Sequence, residues 1–355
     1  MKSYIYGAGG FSQVLTKELL RQGLKVECII DKYTEKTELY GLPIVRPSDE
    51  LDVNAKVWLA FSSYLDEEVT AELTTMGFHD FMYFMDVLKV AKNCIPELVK
   101  NLIWHRKDSP FRTDINKLQE VERLLSNQES IDTLRGVSNF RENPSFDNYV
   151  HGDFDTHYFS DNVPWSQSIE SFRFVDCGAF TGDTLSQLAD ISEKYNKKID
   201  NVILFEPEED NRKKLIETAS KYQSFQYYIY PCGVWKESAF LTFSSNSSAS
   251  AIIDSNAEDA DSYKIMCIDI DTALMGAKPN WIKMDIEGAE KEAILGSKEI
   301  IKKYSPILTI AIYHQPYDLW DIPLLINEIN PNYDMYIRAH GDLTTEVVLY
   351  CVPKI

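Results

Sequence analysis

Apolar runs of strand length alternate along this chain with stretches whose apolar positions recur at helical spacing. Tyr4–Tyr6, Val26–Ile30, Gly41–Val45, Val57–Ala60 and Phe81–Phe84 are the first short runs. Between them, Phe11–Gln22 and Asp66–Met76 read as amphipathic helices, the first closed by Gly23. Residues 1–88 therefore predict a small unit built on half a parallel sheet. From Val87 to Trp104 the pattern is helical, with Leu88, Ala91, Ile95, Leu98 and Leu102 near one face and Pro96 opening a fresh helix. Ile115–Leu125 and Ser130–Leu134 are further helical pieces. Asn139–Trp165 has no period and is rich in Asn, Asp, Ser and aromatic residues, the composition of a surface loop. Residues 89–165 are accordingly expected to be a helical connector with a substrate-side loop. Its Tyr149, His151, His157, Tyr158 and Phe159 either face a substrate or pack the segment down.

Residues 166–355 alternate again. Phe172–Val175, Val202–Phe205, Phe225–Tyr230, Trp281–Met284 and Ile307–Ile312 are buried-strand runs. Helical patterns follow Gly182 (Leu185, Leu188, Ile191) and occupy Glu208–Lys221, Lys291–Lys303 and Asp318–Ile329. Ala239–Phe243 and Met266–Ile270 add strand segments, with a Ser-rich loop, Ser244–Ser250, between them. Tyr333–Ile337 and Glu346–Val352 are placed to pair as an antiparallel hairpin. The predicted class is α/β, a mixed sheet ending in an antiparallel hairpin, preceded by a small Rossmann-like domain and a helical connector.

Charge narrows the function. The 355 residues include 55 Asp or Glu and 36 Lys or Arg, a formal net charge of −19. That balance, with no Lys/Arg block, argues against binding nucleic acid or an anionic membrane surface. The longest apolar runs are far short of a membrane span. The chain opens directly into a strand and a Gly turn. Its cysteines are scattered with no C-x-x-C pair or His/Cys cluster, so a cytoplasmic protein with reduced thiols is expected.

The densest chemical signal is FVDCGAFTGD, residues 174–183. A buried strand ends in Asp176, and Gly178, Ala179, Phe180, Thr181, Gly182 and Asp183 carry the chain into a helix. Backbone can approach a ligand closely at such a turn. Carboxylates there would repel a pyrophosphate and suit a cationic, hydroxyl-rich ligand. S-adenosylmethionine, with its sulfonium, amine and ribose hydroxyls, fits. Glu206, followed by Pro207, lies 30 residues beyond Asp176 and ends the next strand on the same edge of the sheet, where it can grip both ribose hydroxyls. The turn at Gly233 and Val234 would lie beside the adenine. Asp285 and His314 follow the fourth and fifth strands at that edge.

FVDCGAFTGD, LFEP, WIKMDIEGAE and the tail YHQPYDLWDIPLLI…YIRAHGDLTTEVVLY, in that order over about residues 155–355, resemble the FkbM family of S-adenosylmethionine-dependent O-methyltransferases. The resemblance implies a class I methyltransferase fold over residues 166–355. It also implies methyl transfer to a hydroxyl of a sugar in a surface polysaccharide, glycan or glycosylated metabolite. Carried over, Asp176, Gly178, Thr181, Gly182 and Asp183 hold the methionine part of the cofactor, Glu206 the ribose, and Asp285 closes the site beside the methyl group. Glu287, Glu290 and His314 belong to the same motifs. Transfer to an alcohol is an in-line displacement that also needs a proton taken from a weakly acidic hydroxyl. His314, with an ordinary pKa of about 6.5, is the expected base; Asp285 orients it or binds the hydroxyl, and Glu290 reads as structural at a helix start. Asp269, Asp271, Asp285, Glu287 and His314 together would suit Mg²⁺, but no tight ligand spacing supports it, and the metal-free route is expected.

At the amino end, Gly7-Ala8-Gly9-Gly10 follows a strand, and Asp31, 24 residues after Gly7, closes the next. The spacing is that of a dinucleotide fold with Ser12 in place of the third glycine. YIYGAGG, IID and GLPIV resemble the small N-terminal nucleotide-binding domain of bacterial sugar O-acyltransferases. That implies a nucleotide or sugar nucleotide at Gly7, Gly9, Gly10 and Asp31; a degenerate unit that only packs or oligomerises is the equal alternative. Two other functions remain. A sugar-nucleotide or NAD(P)-linked enzyme would centre on this unit, but no Tyr/Lys or Cys/His set follows it. A non-catalytic glycan-assembly scaffold is disfavoured by the intact DCGAFTGD and FEP. Whether the chain forms a homodimer is left open.

Overall fold

The computed structural model describes residues 2–105, 111–153, 157–244, 252–253 and 262–354. Contacts divide the chain into two units: residues 1–111, 139–154 and 341–345 form one, and 112–138, 155–340 and 346–355 the other. The expected connector, 89–165, is therefore shared between the two. The physical reason is that its first part completes a core: Ala91, Ile95, Leu98 and Trp104 are buried in the first unit together with Val87 and Leu88, which precede it.

The first unit contains β1 (Ser3–Tyr6), α1 (Gly10–Arg21), β2 (Cys28–Ile30), β3 (Glu38–Leu39), β4 (Leu42–Val45), β5 (Lys56–Leu59), α2 (Asp66–Thr75), β6 (Phe81–Met82), α3 (Phe84–Val90) and α4 (Ile95–Leu98). The sheet order is β3-β4-β2-β1-β5-β6, with β1 parallel to β2 and β5. Successive residues of its strands feed two cores on opposite faces. Ile5, Ile29 and Trp58 enter one; Tyr4, Tyr6, Ile30, Val57 and Leu59 enter the other. Pro96 stands in the first turn of α4, where its missing N–H is not needed. Asp342 of the 341–345 segment accepts hydrogen bonds from Ser62 Oγ and the Ser63 N–H, both at 2.7 Å, and from Tyr149 Oη. Tyr149 is thus a structural donor rather than a substrate contact.

The second unit contains α5 (Ile115–Glu122), the start of α6 (Gln128–Glu142), β7 (Ser171–Cys177), α7 (Asp183–Lys194), β8 (Lys198–Phe205), α8 (Glu209–Ala219), β9 (Gln226–Tyr230), β10 (Gly233–Val234), β11 (Ala239–Ser244), β12 (Ile252–Ile253), β13 (Ser262–Ile268), α9 (Ile270–Ala273), β14 (Trp281–Met284), α10 (Glu290–Leu295), α11 (Lys298–Tyr304), β15 (Ile307–Ala311), α12 (Asp318–Ile329), β16 (Tyr333–Ala339) and β17 (Val347–Pro353). Its main sheet runs β16-β17-β15-β14-β7-β8-β9, parallel except for β17, which is antiparallel to both neighbours. The predicted hairpin is present, with β17 inserted between β15 and β16. The strand segments expected at 239–243 and 266–270 fall in β11 and at the end of β13, which ends at Ile268, and belong to a separate sheet, β10-β13-β11-β12. Most of the Ser-rich loop, residues 245–250, lies outside the described residues. Phe159 packs on Trp281, ring centroids 5.1 Å apart, and is core rather than a substrate contact. Among the described residues no helix is long and apolar enough to cross a membrane.

Candidate active site

A cavity of about 390 Å³ opens at the carboxyl edge of the seven-stranded sheet. Gly178, Phe180 and Asp183 line it from the turn after β7, Glu206, Pro207 and Glu208 from the end of β8, and Gly233 and Val234 from β10. Lys283, Asp285 and Glu287 come from β14 and its exit, Tyr313 from the exit of β15, and Glu346 from the entry to β17. A hollow of about 420 Å³ at the opposite edge, lined by Ser168, Arg173, Asn280 and Ser305 among others, contains none of the expected site residues.

The turn after β7 is shaped by close approach. Gly178 has φ +86°, and a Cβ there would collide with the Asp285 carbonyl oxygen. Gly182, φ +91°, sits 2.9 Å or more from Thr218 and Leu215 measured from an added Cβ, which lets α7 start against α8. Between them, exposed Phe180 is held at φ +46°, and its N–H donates to Glu206 Oε2 at 2.8 Å. The Glu208 N–H donates to Glu206 Oε1, also at 2.8 Å. Both carboxylate oxygens are thereby fixed, each with acceptor capacity left. Burial raises the Glu206 pKa, against these N–H groups.

Several expected cofactor contacts do not reach the cavity wall. Asp176 is fully buried, 3.0 Å from Lys283 Nζ, and Lys283 also donates to the Gly178 carbonyl at 2.8 Å. Burial pushes the Asp176 carboxyl up to about 7 in spite of Lys283, while Lys283 itself is held above the ordinary lysine range, its burial outweighed by Asp176 and Asp285. Asp176 thus acts on the cavity through Lys283. Ala179 is core, and neither Thr181 nor Gly182 lines the cavity.

Asp285, Glu287 and His314 are brought together. His314 is 1% exposed; its Nε2 lies 3.3 Å from Asp285 Oδ1 and 3.7 Å from Glu287 Oε2, and its Nδ1 lies 2.9 Å from Glu290 Oε1. Burial works to lower its pKa, but Glu290, Asp285 and Glu287 outweigh it and raise it to about 10. The expectation of an ordinary imidazole with a neutral fraction is corrected: His314 keeps its proton at neutral pH. Glu290, expected to be only a helix-start residue, is buried beside that ring and accepts the Ile286 N–H at 2.8 Å. Asp285 Oδ2 accepts from Tyr158 Oη at 2.6 Å. Burial opposes the Asp285 charge, yet Lys283, His314 and Tyr158 hold its pKa below the usual value.

Glu346 carried no signal in the sequence. Burial first, then Asp285, pushes it up to about 7; its Oε1 accepts from Tyr313 Oη at 2.9 Å, and His157 Nε2 lies 3.3 Å from Oε2. Burial also takes Glu287 up to about 6. Phe180, Glu287 and Glu346 all line the cavity with positive φ, at +46°, +58° and +49°. Strained non-glycine backbone of this kind gathers at functional sites. Lys283 did leave a trace, as a charge inside the apolar run WIKM. Asp269 and Asp271 are elsewhere: Asp269 caps α9 through the Thr272 N–H, and Asp271 accepts the Glu299 and Ile300 N–H groups at the start of α11. His151 lies in the first unit, and His157 stacks on Tyr158 at 3.8 Å.

In the first unit, Asp31 faces the Gly7–Gly10 turn, and both of its carboxylate oxygens accept backbone N–H groups. Oδ2 accepts the Ala8 N–H at 2.7 Å, and Oδ1 accepts the Tyr33 and Thr34 N–H groups at 2.9 and 2.7 Å. Asp31 therefore ties the turn to the exit of β2 and keeps acceptor capacity on Oδ2. Added Cβ atoms at Gly9 and Gly10 would meet open space.

Residues 176–344 match the family model described as the methyltransferase FkbM domain, and the protein is a methyltransferase. Among solved structures the chain is similar to a methyltransferase FkbM from Methylobacillus flagellatus KT. Identity is 22% over 99% of this chain and 89% of that one, with a TM-score of 0.59. At that identity the likeness is one of fold, the class I methyltransferase Rossmann-like arrangement. An rRNA methylase from Streptococcus thermophilus is similar over 54% of this chain and 92% of its own, at 13% identity and a TM-score of 0.33. Aeropyrum pernix fibrillarin in complex with S-adenosyl-L-methionine matches 52% of this chain and 67% of its own, at 8% identity and a TM-score of 0.31. Among curated proteins none matches the chain.

Proposed function

We propose that this methyltransferase transfers the methyl group of S-adenosylmethionine to a hydroxyl of a sugar-bearing acceptor. The observation that carries the cofactor assignment is Glu206, clamped by two backbone N–H groups on the wall of a cavity whose other ionisable groups are mostly carboxylates. A fixed carboxylate with acceptor capacity on both oxygens suits a ribose diol, and an acidic wall suits a sulfonium and an ammonium. Gly178 and Asp183 would meet the methionine end, and Gly233 and Val234 the adenine. The sugar class of the acceptor rests on the motif resemblance over residues 155–355.

Proton removal falls to Glu346 in this reading. His314 already holds its proton, whereas Glu346 lines the cavity, is anchored by Tyr313 and has a proton affinity near neutral pH. Asp285 borders the same space, and His314 with Glu290 holds it in place. The cofactor supplies an activated methyl group; the chain supplies alignment, an acidic surface and a proton acceptor.

The test is calorimetric titration of the full chain with S-adenosylhomocysteine, beside Glu206→Ala. Losing the ribose contacts is expected to cost about 1.5–3 kcal/mol. No binding by the wild type, or an unchanged Kd in Glu206→Ala, would overturn the cofactor assignment. Mass spectrometry of a glycan panel after incubation with S-adenosylmethionine tests the acceptor class.

A further inference from the structure

Two aromatic residues just ahead of β7, His157 and Tyr158, reach the acids of the cavity, although neither lines the cavity itself. Both lie outside residues 176–344, the span of the family match. Tyr158 is 2% exposed and held at φ +62°, a left-handed conformation that is costly for a bulky side chain and that gathers at functional sites. Its ring carries the His157 ring, stacked at 3.8 Å with 24° between the planes. The stack aims two polar tips at two carboxylates. Tyr158 Oη donates to Asp285 Oδ2 at 2.6 Å, and His157 Nε2 lies 3.3 Å from Glu346 Oε2.

Nε2 of His157 is shielded from solvent and makes no well-directed hydrogen bond to the described residues. A buried nitrogen left in that state costs free energy, and Glu346 Oε2 is the acceptor within reach. A modest turn of the ring or of the carboxylate brings the two atoms into hydrogen-bond geometry. The ring is uncharged at neutral pH. Burial first, then neighbouring His340, pushes its pKa down to about 3, and His340 Nε2 is itself hydrogen-bonded with Tyr350 Oη at 2.7 Å. The tautomer of a neutral imidazole that carries its proton on Nε2 donates to a carboxylate. Tyr313 Oη already donates to the other oxygen, Oε1, at 2.9 Å. Burial raises the phenols of Tyr158 and Tyr313, so both keep their protons. Of the remaining groups that face Glu346, Asp285 and Glu287 at the exit of β14 disfavour its charge, and His314 at the exit of β15 favours it.

We propose that His157 is a positioning residue for the proton acceptor: seated on Tyr158, it donates from Nε2 to Glu346 Oε2 and, opposite Tyr313 on Oε1, holds the carboxylate ionised and turned into the cavity. Donation to the ionised form offsets part of the desolvation that burial imposes. It keeps the proton affinity of Glu346 near neutral pH, where a general base works best, instead of well above it. Each oxygen retains acceptor capacity for the hydroxyl proton of the acceptor. The catalytic consequence rests on the assignment of Glu346 as the base; the hydrogen bond between His157 and Glu346 does not.

The test uses the full chain without cofactor or acceptor. Glu346 is followed over a pH series by infrared difference spectroscopy, as the protonated-carboxyl band present in the wild type and absent from Glu346→Gln. His157→Phe keeps a ring on Tyr158 and removes the donor; its Glu346 midpoint is expected about one pH unit above the wild-type value, a change of about tenfold in proton affinity. His157→Gln restores an N–H near the place of Nε2 and is expected to recover most of that shift. An unmoved or lowered midpoint in His157→Phe overturns the proposal. So does a shift that His157→Gln fails to reverse, because the shape of the ring and not its donor would then matter. Should the His157 variants fail to fold, nitrogen NMR of isotope-labelled histidines in the wild type decides. One neutral ring, protonated on Nε2, is expected to follow the Glu346 titration and to lose that response in Glu346→Gln. Absence of any such ring, or a responding ring protonated on Nδ1 alone, overturns the proposal as well. The base assignment is read apart from this, in the dependence of kcat on pH in Glu346→Gln. Its failure there leaves the midpoint shift standing, and an unmoved midpoint leaves the base assignment standing.

Discussion

Gly178 is the point where two strand ends are pinned together. Its carbonyl receives Lys283, its Cα lies against the Asp285 carbonyl, and its φ of +86° belongs to the left-handed region. Gly178→Ala is predicted to push the turn away from β14 and to destabilise the second unit by about 1–3 kcal/mol. Thermal denaturation and S-adenosylhomocysteine titration check this; a variant with unchanged Tm and affinity would show that the turn has room to spare. Glu346 gives a second residue-scale prediction. Its pKa is raised to about 7, so it is neutral below that pH and able to take a proton above it. As the base, it should make kcat rise with pH through about 7, and Glu346→Gln should lower kcat by about 10²–10⁴-fold while keeping cofactor affinity. Persistence of the same pH limb in the variant would assign the proton to another group. Sequence reasoning found Glu206 and Asp285 because strand-end carboxylates are visible as breaks in apolar runs. It could not find Glu346, which is brought to the cavity by the insertion of β17, or the raised pKa of His314, which depends on three carboxylates meeting one ring.

Elements were more legible than their assembly. The helix predicted over Asp318–Ile329 and the strand over Trp281–Met284 are present at those bounds, because their periodicity and length are local properties. The expected helix over 291–303 divides into α10 and α11 at Gly296, where an added Cβ would strike the Trp235 carbonyl oxygen. That contact comes from a distant part of the chain and leaves no local mark. The small β10–β13 sheet was missed for the same reason: strand propensity does not say which sheet a strand joins. A prediction at this scale concerns α1. Arg21, against some burial and with help from Gln22, holds the Glu18 carboxyl down to about 2, through contacts at 2.7–2.8 Å. An acid lowered on folding contributes stability above its unfolded pKa and loses it as pH falls towards the folded value. Glu18→Gln is therefore expected to cost about 1 kcal/mol at neutral pH, Arg21 being largely exposed, and almost nothing near pH 2. Urea denaturation at the two pH values checks it; an equal loss at both would mean that shape, not charge, is what the glutamate provides.

At the scale of the whole molecule, a net charge of −19 surrounds a cavity whose wall is itself acidic. Such a field attracts a cationic cofactor and slows the approach of an anion, and salt screens both effects over about 8 Å at physiological ionic strength. The acceptor class can be sorted on this basis. A neutral glycan should be methylated with a kcat/KM that is nearly independent of ionic strength. An acceptor bearing uronic acids or a nucleotide diphosphate should instead be used better as salt is added, because screening removes repulsion at the encounter step. Cofactor affinity should weaken modestly over the same range, since the sulfonium and amine lose part of their attraction. Steady-state rates with a neutral and an acidic acceptor across a salt series provide the measurement. A kcat/KM that falls steeply with salt for the acidic acceptor would contradict the prediction. It would mean that a local cluster of lysines and arginines, and not the overall field, governs how the acceptor reaches Asp285 and Glu346.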